Sequence, residues 1–390
     1  MDRKKICFFT GSRAEYGLLR PLMNKVRNED EFELRIIVSG MHLSPEFGLT
    51  YKEIEQDGFA IDEKIEMLLS SDTGLGVVKS MGVALIGYSD TLNRVKPDIL
   101  IVLGDRFEAL AVSIAAYVLN IPIAHLHGGE RTEGIVDDGF RHAITKMSHL
   151  HFTSTEEYRR RVIQLGEQPE RVFNVGAIGL DNLRNLRLLT KEELEKELNF
   201  SFGEKNVLFT YHPVTLQNEK LKYELGEIFA VLGELIKSGY KIIITKSNAD
   251  EGGRYINKLI DNFSEENGMN VLAVTSMGTL RYLSTMKHVN FVMGNSSSGI
   301  VEAPSLKIPT INIGERQKGR VKGNSVIDVE PSKNKILHAI RIAEQMDRTK
   351  IINPYDQGGA SEKIYTILKD FLEHDHFDIK KEFFDVTFTI

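Results

Sequence analysis

The sequence holds a single cysteine, Cys7, so no intrachain disulfide can form. It sits inside the apolar run Ile6-Cys7-Phe8-Phe9, the setting of a buried, inert thiol rather than a nucleophile. Long apolar runs are missing too. The opening Met1-Asp2-Arg3-Lys4-Lys5 leads into only those four apolar residues, too few for the apolar core of a secretory leader. No stretch approaches the length that crosses a bilayer. Basic excess is absent: 49 Lys and Arg stand against 55 Asp and Glu, a net charge of −6. Nucleic-acid binders usually carry a basic balance or stripe. These absences predict a cytoplasmic protein with neither a membrane nor a nucleic acid as partner. Neither the dinucleotide nor the P-loop fingerprint occurs at Gly11–Gly17, which weighs against nicotinamide redox chemistry and phosphoryl transfer from ATP. No HExxH, no low-complexity segment and no short repeat is found.

A chain of 390 residues exceeds what one core usually supports, so two domains are expected. Hydrophobic content of 42% and charged content of 27% are those of an ordinary globular protein. Short runs rich in Val, Ile and Phe end in glycine and polar clusters. In the first half they are Ile6–Thr10, Leu34–Ser39, Ile99–Leu103, Ile121–Leu126 and His149–Thr153. In the second half they are Val207–Tyr211, Lys241–Thr245, Asn270–Val274, Phe291–Met293 and Thr310–Ile313. Amphipathic stretches between them, such as Leu18–Val26, Ala109–Leu119 and Tyr223–Ile236, read as helices. Strands alternating with helices imply parallel sheets covered on both faces. The fold class expected is therefore α/β, with two Rossmann-like, doubly wound domains. The boundary falls near 180–190, where Thr190 and Glu193 have capping-box spacing. We assign residues 1–183 to the first domain and 184–359 to the second. The tail helix Ala360–His374 opens a segment, 360–390, that returns to the first domain.

Ligands of open parallel sheets bind beyond the carboxyl ends of the strands. The residues following each predicted strand are accordingly the candidates: Gly11–Gly17, Gly40-Met41-His42, Gly104–Glu108, His125–Glu130, Tyr211-His212-Pro213, Lys246-Ser247-Asn248, Gly294–Gly299 and Gly314-Glu315-Arg316. A glycine after a strand usually only makes a turn. Eight polar strand ends are harder to dismiss, and two such edges facing each other would line a cleft. The Gly294–Gly299 loop, opening a helix at Ile300–Ser305, suits a diphosphate. Glu302 either accepts ribose hydroxyls or is a helix-start glutamate favoured by the macrodipole. His125 and His127 alternate on a strand end, and so do His149 and His151. An HxH pair can hold a metal, but the neighbouring arginines would compete for the carboxylates, so no metal is expected. Asp137 and Asp138 lie one turn from Arg141 and His142. They are either helix-stabilising ion pairs or, with Asp105 and Glu130, acids around a sugar ring. Asp105 precedes Arg106, which would hold it.

Taken in order, Gly11-Ser12-Arg13-Ala14-Glu15-Tyr16-Gly17, Gly104-Asp105-Arg106, His125–Glu130, Arg141–Lys146, His212-Pro213, Gly294–Gly299 and Gly314–Gln317 resemble the hydrolysing UDP-N-acetylglucosamine 2-epimerases. The likeness is to the branch that serves sialic acid and legionaminic acid synthesis, and it runs from the first strand to about residue 330. It implies the GT-B architecture with an interdomain cleft, and a two-step reaction. UDP is eliminated anti across C1–C2 to give 2-acetamidoglucal, and water then adds with C2 inverted. The products are UDP and N-acetylmannosamine, with no cofactor required. UDP-2,4-diacetamido-2,4,6-trideoxyglucose is the alternative substrate, since it needs the same chemistry. The resemblance implies catalytic roles among Asp105, His127, Glu130, Asp137, Asp138 and His212. Many relatives carry a glutamate where this chain has His127. It implies UDP contacts from Arg13, His212, Ser296, Ser297, Ser298, Glu302 and Arg316, and sugar contacts from His42, Arg106, His125 and Arg141. A homodimer is the expected assembly. A GT-B glycosyltransferase, a hydrolase using His125 and His127 on a metal, and a non-catalytic nucleotide-sugar sensor are the competing readings.

Overall fold

The computed structural model describes residues 3–69, 73–132, 136–213, 218–247, 253–275, 277–373 and 379–387. Asn248 and His374, named above, lie outside them. The chain divides into one unit of Met1–Asp181 with Tyr355–Ile390 and a second of Asn182–Pro354. The returning segment thus begins at Tyr355, five residues before the expected crossing.

The first unit is built on seven strands: β1 (Lys4–Thr10), β2 (Phe32–Ser39), β3 (Glu63–Ile65), β4 (Ile99–Leu103), β5 (Ile123–Leu126), β6 (Leu150–Thr153) and β7 (Val172–Asn174). The second has six: β8 (Lys205–Thr210), β9 (Tyr240–Thr245), β10 (Val271–Val274), β11 (Phe291–Gly294), β12 (Thr310–Ile313) and β13 (Val326–Val329). Their orders are β3-β2-β1-β4-β5-β6-β7 and β10-β9-β8-β11-β12-β13, and every pairing is parallel. Chain direction across each sheet reverses once, at β1/β4 and at β8/β11. Those are the topological switch points where such sheets bind ligands.

Near-continuous apolar strands follow from burial on both faces. Ile6 and Phe8 of β1 enter one core with Ile99 and Ile101 of β4, while Cys7 and Phe9 enter the opposite core with Leu100 and Val102. The second unit repeats this: Val207, Phe209, Ile242 and Ile244 face one core, Leu208 and Ile243 the other. The sequence runs missed β3, β7 and β13. Each has only three or four residues and lies at a sheet edge, too short for a periodic signal. The helix Gly74–Val95 was missed as well, because its repeated glycines lower helix propensity. One of them is required: a Cβ on Gly87 would lie 2.7 Å from Ile65 Cγ2.

The capping box at Thr190 and Glu193 forms, with both reciprocal bonds made, and opens the helix Lys191–Leu198. The tail helix Ala360–Glu373 lays Ile364, Leu368 and Leu372 on Leu19, Leu22 and Val26 in the first unit's core. Its start is held by the buried Asp181 carboxylate, which accepts from Ala360 N at 3.1 Å and Ser361 N at 2.6 Å. Asp181→Ala should cost about 1–2 kcal/mol, the scale of a lost N-terminal cap. Urea unfolding measures it, and a loss within error of zero would show that the helix is held by its apolar face alone.

Candidate active site

The first unit gathers its chemistry at the β1/β4 switch point and the adjacent end of β5. The centre is Arg141, on the helix Val136–Met147, with its side chain 4% exposed. One terminal nitrogen donates to Asp105 Oδ2 and to Thr132 Oγ1 (3.3 Å); the other donates to Asp138 Oδ1 (3.2 Å) and to the Glu130 carbonyl (2.9 Å). A planar guanidinium with several donors in a fixed fork can make all these bonds at once. The expected Asp105–Arg106 pair is replaced by Asp105–Arg141. Arg106 turns instead to the fully buried Glu108, donating from Nε at 3.2 Å and from a terminal nitrogen at 3.0 Å. Adjacent residues at a strand end point apart, so sequence neighbours make poor partners here.

The two aspartates at the helix start separate by environment. Asp138 is the anchor: its Oδ1 accepts from Thr132 N at 2.7 Å as well as from Arg141, and its Oδ2 lies 3.6 Å from His142 Nε2. Asp137 is half-buried, and burial raises its pKa against the opposing charge of Arg106. Among the described residues, the pairs recorded for Arg141 are with Asp105 and Asp138. Beyond β5, His127 adopts a left-handed backbone with φ of 64°. Its N–H donates to Phe152 O at 2.9 Å, and its Nδ1 lies 3.1 Å from Glu130 Oε1. Glu130 in turn accepts from Ser154 Oγ at 2.8 Å.

Two residues expected to touch the sugar are placed differently. His125 is fully buried, with Nε2 at 2.8 Å from Gly104 O and Nδ1 at 3.1 Å from Thr145 Oγ1. Burial lowers its pKa to about 3, so it is neutral. His42 is fully buried between Thr10 Oγ1 (3.0 Å) and Thr50 Oγ1 (2.8 Å), and burial lowers its pKa to about 4. Both rings brace the strand ends from beneath. With both His125 nitrogens engaged, the HxH pair has one ring left for a metal, and no group of three or more metal-ligating side chains occurs among the described residues. His149 and His151 are also interior: His149 Nδ1 accepts from Ile123 N, and His151 lies 2.9 Å from Glu167.

Glu15 was missed as an individual residue, although its motif was singled out. It is buried below the Gly11 loop, where its Oε2 accepts from Gly11 N at 2.6 Å. Arg13, in the same loop, is exposed and pairs with Glu53 at 3.1 Å.

The second unit's candidates surround the β8/β11 switch point. Asn295, fully buried after β11, holds the loop after β8: its Oδ1 accepts from His212 N at 2.7 Å and its Nδ2 donates to His212 O at 2.8 Å. Its own carbonyl accepts from Arg316 (3.1 Å) and Gln317 (2.9 Å) after β12. One amide therefore locks three strand ends, a role sequence reasoning did not assign although Asn295 lay inside the motif. Gly294 makes the close approach possible: a Cβ there would lie 1.9 Å from Thr210 O. Ser296 and Ser298 hydroxyls lie 2.9 Å apart, and Ser298 reaches Tyr282 OH at 2.5 Å. The helix expected at Ile300–Ser305 is divided into a short α-turn, Ser298–Val301, and a 3-10 turn, Ala303–Leu306, because Pro304 supplies no N–H. Glu302 falls at the junction, closing the α-turn and standing as the N-cap residue of the 3-10 turn.

Two all-parallel, doubly wound units with polar clusters at their switch points define a GT-B-like α/β fold. The likeness to solved structures agrees. A Listeria monocytogenes protein described as a candidate UDP-N-acetylglucosamine 2-epimerase superposes with a TM-score of 0.80 at 17% identity, covering 99% of this chain and 100% of that one. The Neisseria meningitidis UDP-GlcNAc 2-epimerase bound to UDP-GlcNAc gives 0.77 at 19% identity, covering 94% and 100%. The chain belongs to the UDP-N-acetylglucosamine 2-epimerase family, whose model matches residues 24–369. Among its relatives are the GDP/UDP-N,N'-diacetylbacillosamine 2-epimerase (hydrolyzing) of Campylobacter jejuni, 44% identical over 85% of both chains, and the polysialic acid biosynthesis protein P7 of Escherichia coli, 40% identical over 98% of both. The UDP-N,N'-diacetylbacillosamine 2-epimerase (hydrolyzing) of Legionella pneumophila is 35% identical over 95% of this chain and 97% of its own.

Burial, and then the Glu108 carboxylate, raise the Glu15 pKa from 4.5 to about 7. Between those values the native state holds a proton that the unfolded state has lost, so Glu15 makes stability fall as pH rises through that window. Glu15→Gln removes the dependence. Its stability relative to the parent should improve steadily from about pH 4.5 to about pH 7 and then level off. Denaturant unfolding across pH tests this; a difference that stays flat would show that Glu15 is ionised in the native state.

Proposed function

We propose that the chain is a hydrolysing 2-epimerase. It takes a UDP-linked 2-acetamido sugar, breaks the C1–O bond to the diphosphate, and releases UDP and the free sugar with C2 inverted. The carrying observation is the Arg141 cluster, which draws Asp105, Asp138 and the Glu130 main chain to one strand-end region, with His127 beside Glu130 and Asp137 adjoining Asp138 on the same helix. Loss of UDP with a proton from C2, followed by addition of water, needs proton carriers on both faces of the ring. Asp137, half-buried with a raised pKa, suits an acid; Asp105 is held in place by Arg141. UDP is assigned to the second unit, with the Ser296–Ser298 hydroxyls and backbone on phosphate, Glu302 on ribose, and Arg316 and His212 beside them. The reaction calls on no cofactor.

Of the two candidate sugars, the diacetamido one ranks first. N,N'-Diacetylbacillosamine is 2,4-diacetamido-2,4,6-trideoxyglucose, and it is named in two of the relatives above. N-Acetylglucosamine ranks second, on a Neisseria meningitidis UDP-N-acetylglucosamine 2-epimerase that is 30% identical over 91% of each chain. A homodimer fits the helix Gly74–Val95. It presents Leu75, Val78 and Ile86 on one face at 65%, 66% and 70% exposure, and a twofold axis lets such a stripe cover itself.

Incubation of each UDP-sugar with purified protein and EDTA should yield UDP and the free 2-epimer. The kcat/KM should be at least about tenfold higher for the diacetamido sugar, roughly 1.4 kcal/mol of discrimination. UDP release only when an acceptor sugar is added would instead make the chain a glycosyltransferase. For the assembly, Val78→Asp with Ile86→Asp should halve the mass measured by light scattering; an unchanged dimer would move the interface elsewhere.

A further inference from the structure

We infer that the carboxyl-terminal segment around Lys381 is a strap that holds the acid-bearing helix Val136–Met147 in its working position, with Lys381 as a positioning residue. This rests on the epimerase reading above and brings into it a part of the chain remote from the acids in sequence. The first turn of that helix carries Asp137 and Asp138, and Arg141 follows one turn on. At its other end, the last carbonyls of a helix have no partner within it. Those of Ile144 and Thr145 accept from Ser148, through Oγ at 2.7 Å and N at 3.1 Å. The Lys146 carbonyl accepts from Lys381 Nζ at 2.7 Å. The same nitrogen donates to Ser148 O at 2.5 Å and meets Glu167 Oε2 at 2.7 Å. An ammonium has three protons, and here each finds an acceptor.

The strap around Lys381 is seated in a fitted place. Phe384 N donates to Gly166 O at 2.9 Å, and Gln168 Nε2 donates to Glu382 O at 3.4 Å. Gly166 has a φ of 89°, and a Cβ there would lie 2.3 Å from Phe383 Cε2, so the ring occupies the space that only a glycine leaves. Lys146 Nζ, on the last turn of the helix, lies 5.0 Å from the centroid of the same ring. Glu167 joins the parts: its carboxylate takes Lys146 at 2.5 Å and His151 of β6 at 2.9 Å as well as Lys381.

The choice of a lysine is what points beyond packing. Its side chain is 16% exposed and that of Glu167 is 3% exposed. Burial lowers the Lys381 pKa to about 8 against the opposite pull of Glu167, so the group is charged at pH 7. An apolar side chain would fill this place without the cost of desolvating an ammonium. It would not bond the carbonyls at the helix end, nor set a cation against the negative end of the helix dipole. The helix is a single run of twelve residues, so a shift at Lys146 is carried to Asp137 and Arg141. Moving reacting groups by about 1 Å can cost roughly 10²-fold in rate.

Lys381→Met keeps most of the apolar stem and removes the three donors. It should lower kcat by about tenfold or more while UDP affinity, measured by calorimetry, stays parental. Phe383→Ala, at a ring 64% exposed, removes the other anchor without touching a buried charge, and should lower kcat in the same direction; it decides the matter if Lys381→Met does not fold. Hydrogen exchange read by mass spectrometry tests the hold on the helix without any substrate. Amides of 137–147 should exchange about tenfold faster in both variants, with parental rates retained across 182–354. Parental exchange of the helix in the folded variants overturns the inference, whatever happens to kcat. Faster exchange with parental kcat would reduce the strap to a stabilising contact and overturn it equally. Absence of turnover in the parent protein, with the exchange responding as expected, would count against the epimerase reading and leave the strap's hold on the helix standing.

Discussion

The bond network of Arg141 is the constraint on which the first unit's site depends. A buried guanidinium is costly to desolvate unless its donors are met, and here two carboxylates, a hydroxyl and a carbonyl meet both terminal nitrogens. Those acceptors come from the end of β4, the segment after β5 and the start of the helix Val136–Met147. Three pieces of chain that would otherwise vary independently are drawn to one charge. Removing one partner of such a buried pair typically costs about 3–5 kcal/mol, far more than an exposed ion pair is worth. The geometry of the acids is thus set by an interaction whose first duty is structural. The two aspartates differ in setting: Asp138 anchors the helix start through Arg141 and Thr132, while burial raises the pKa of Asp137.

Much of the fold was legible because strands buried on both faces write themselves as continuous apolar runs. Ile99–Leu103 and Thr310–Ile313 coincide with β4 and β12 to the residue. What the runs could not reveal were edge strands such as Glu63–Ile65, whose pairing is decided by a neighbouring strand rather than by their own pattern. The site was legible as a set of strand ends, because a parallel sheet places every carboxyl end on one edge. Its wiring was not. Arg106 precedes Glu108 by two residues and Asp105 is separated from Arg141 by 36, and only the fold decides that each of these is a pair. His42 and His125 looked like ligand-binding residues because they stand at strand ends. The structure turns both inward, where threonine hydroxyls engage them. Glu15 and Asn295 were overlooked for the converse reason: their bonds run to backbone groups, which leave no mark in side-chain spacing.

The second unit solves the same problem with a neutral group. Asn295 offers a donor and an acceptor from one amide, enough to clamp both backbone groups of His212, and its carbonyl takes Arg316 and Gln317. A fixed, uncharged clamp adds no carboxylate of its own beside the surrounding serines and arginine. This contrast, a charged hub in one unit and an amide hub in the other, is in keeping with the proposal of proton transfer in the first and diphosphate binding in the second.

The central claim is that the bond broken is carbon–oxygen at C1, by loss of the C2 proton, and not phosphorus–oxygen. Turnover of the UDP-sugar in water enriched in both oxygen-18 and deuterium, followed by mass spectrometry and proton NMR of the products, tests it directly. The account predicts UDP free of the heavy oxygen and a released sugar carrying deuterium at C2. UDP bearing one oxygen-18, with the original hydrogen still on C2, would contradict it.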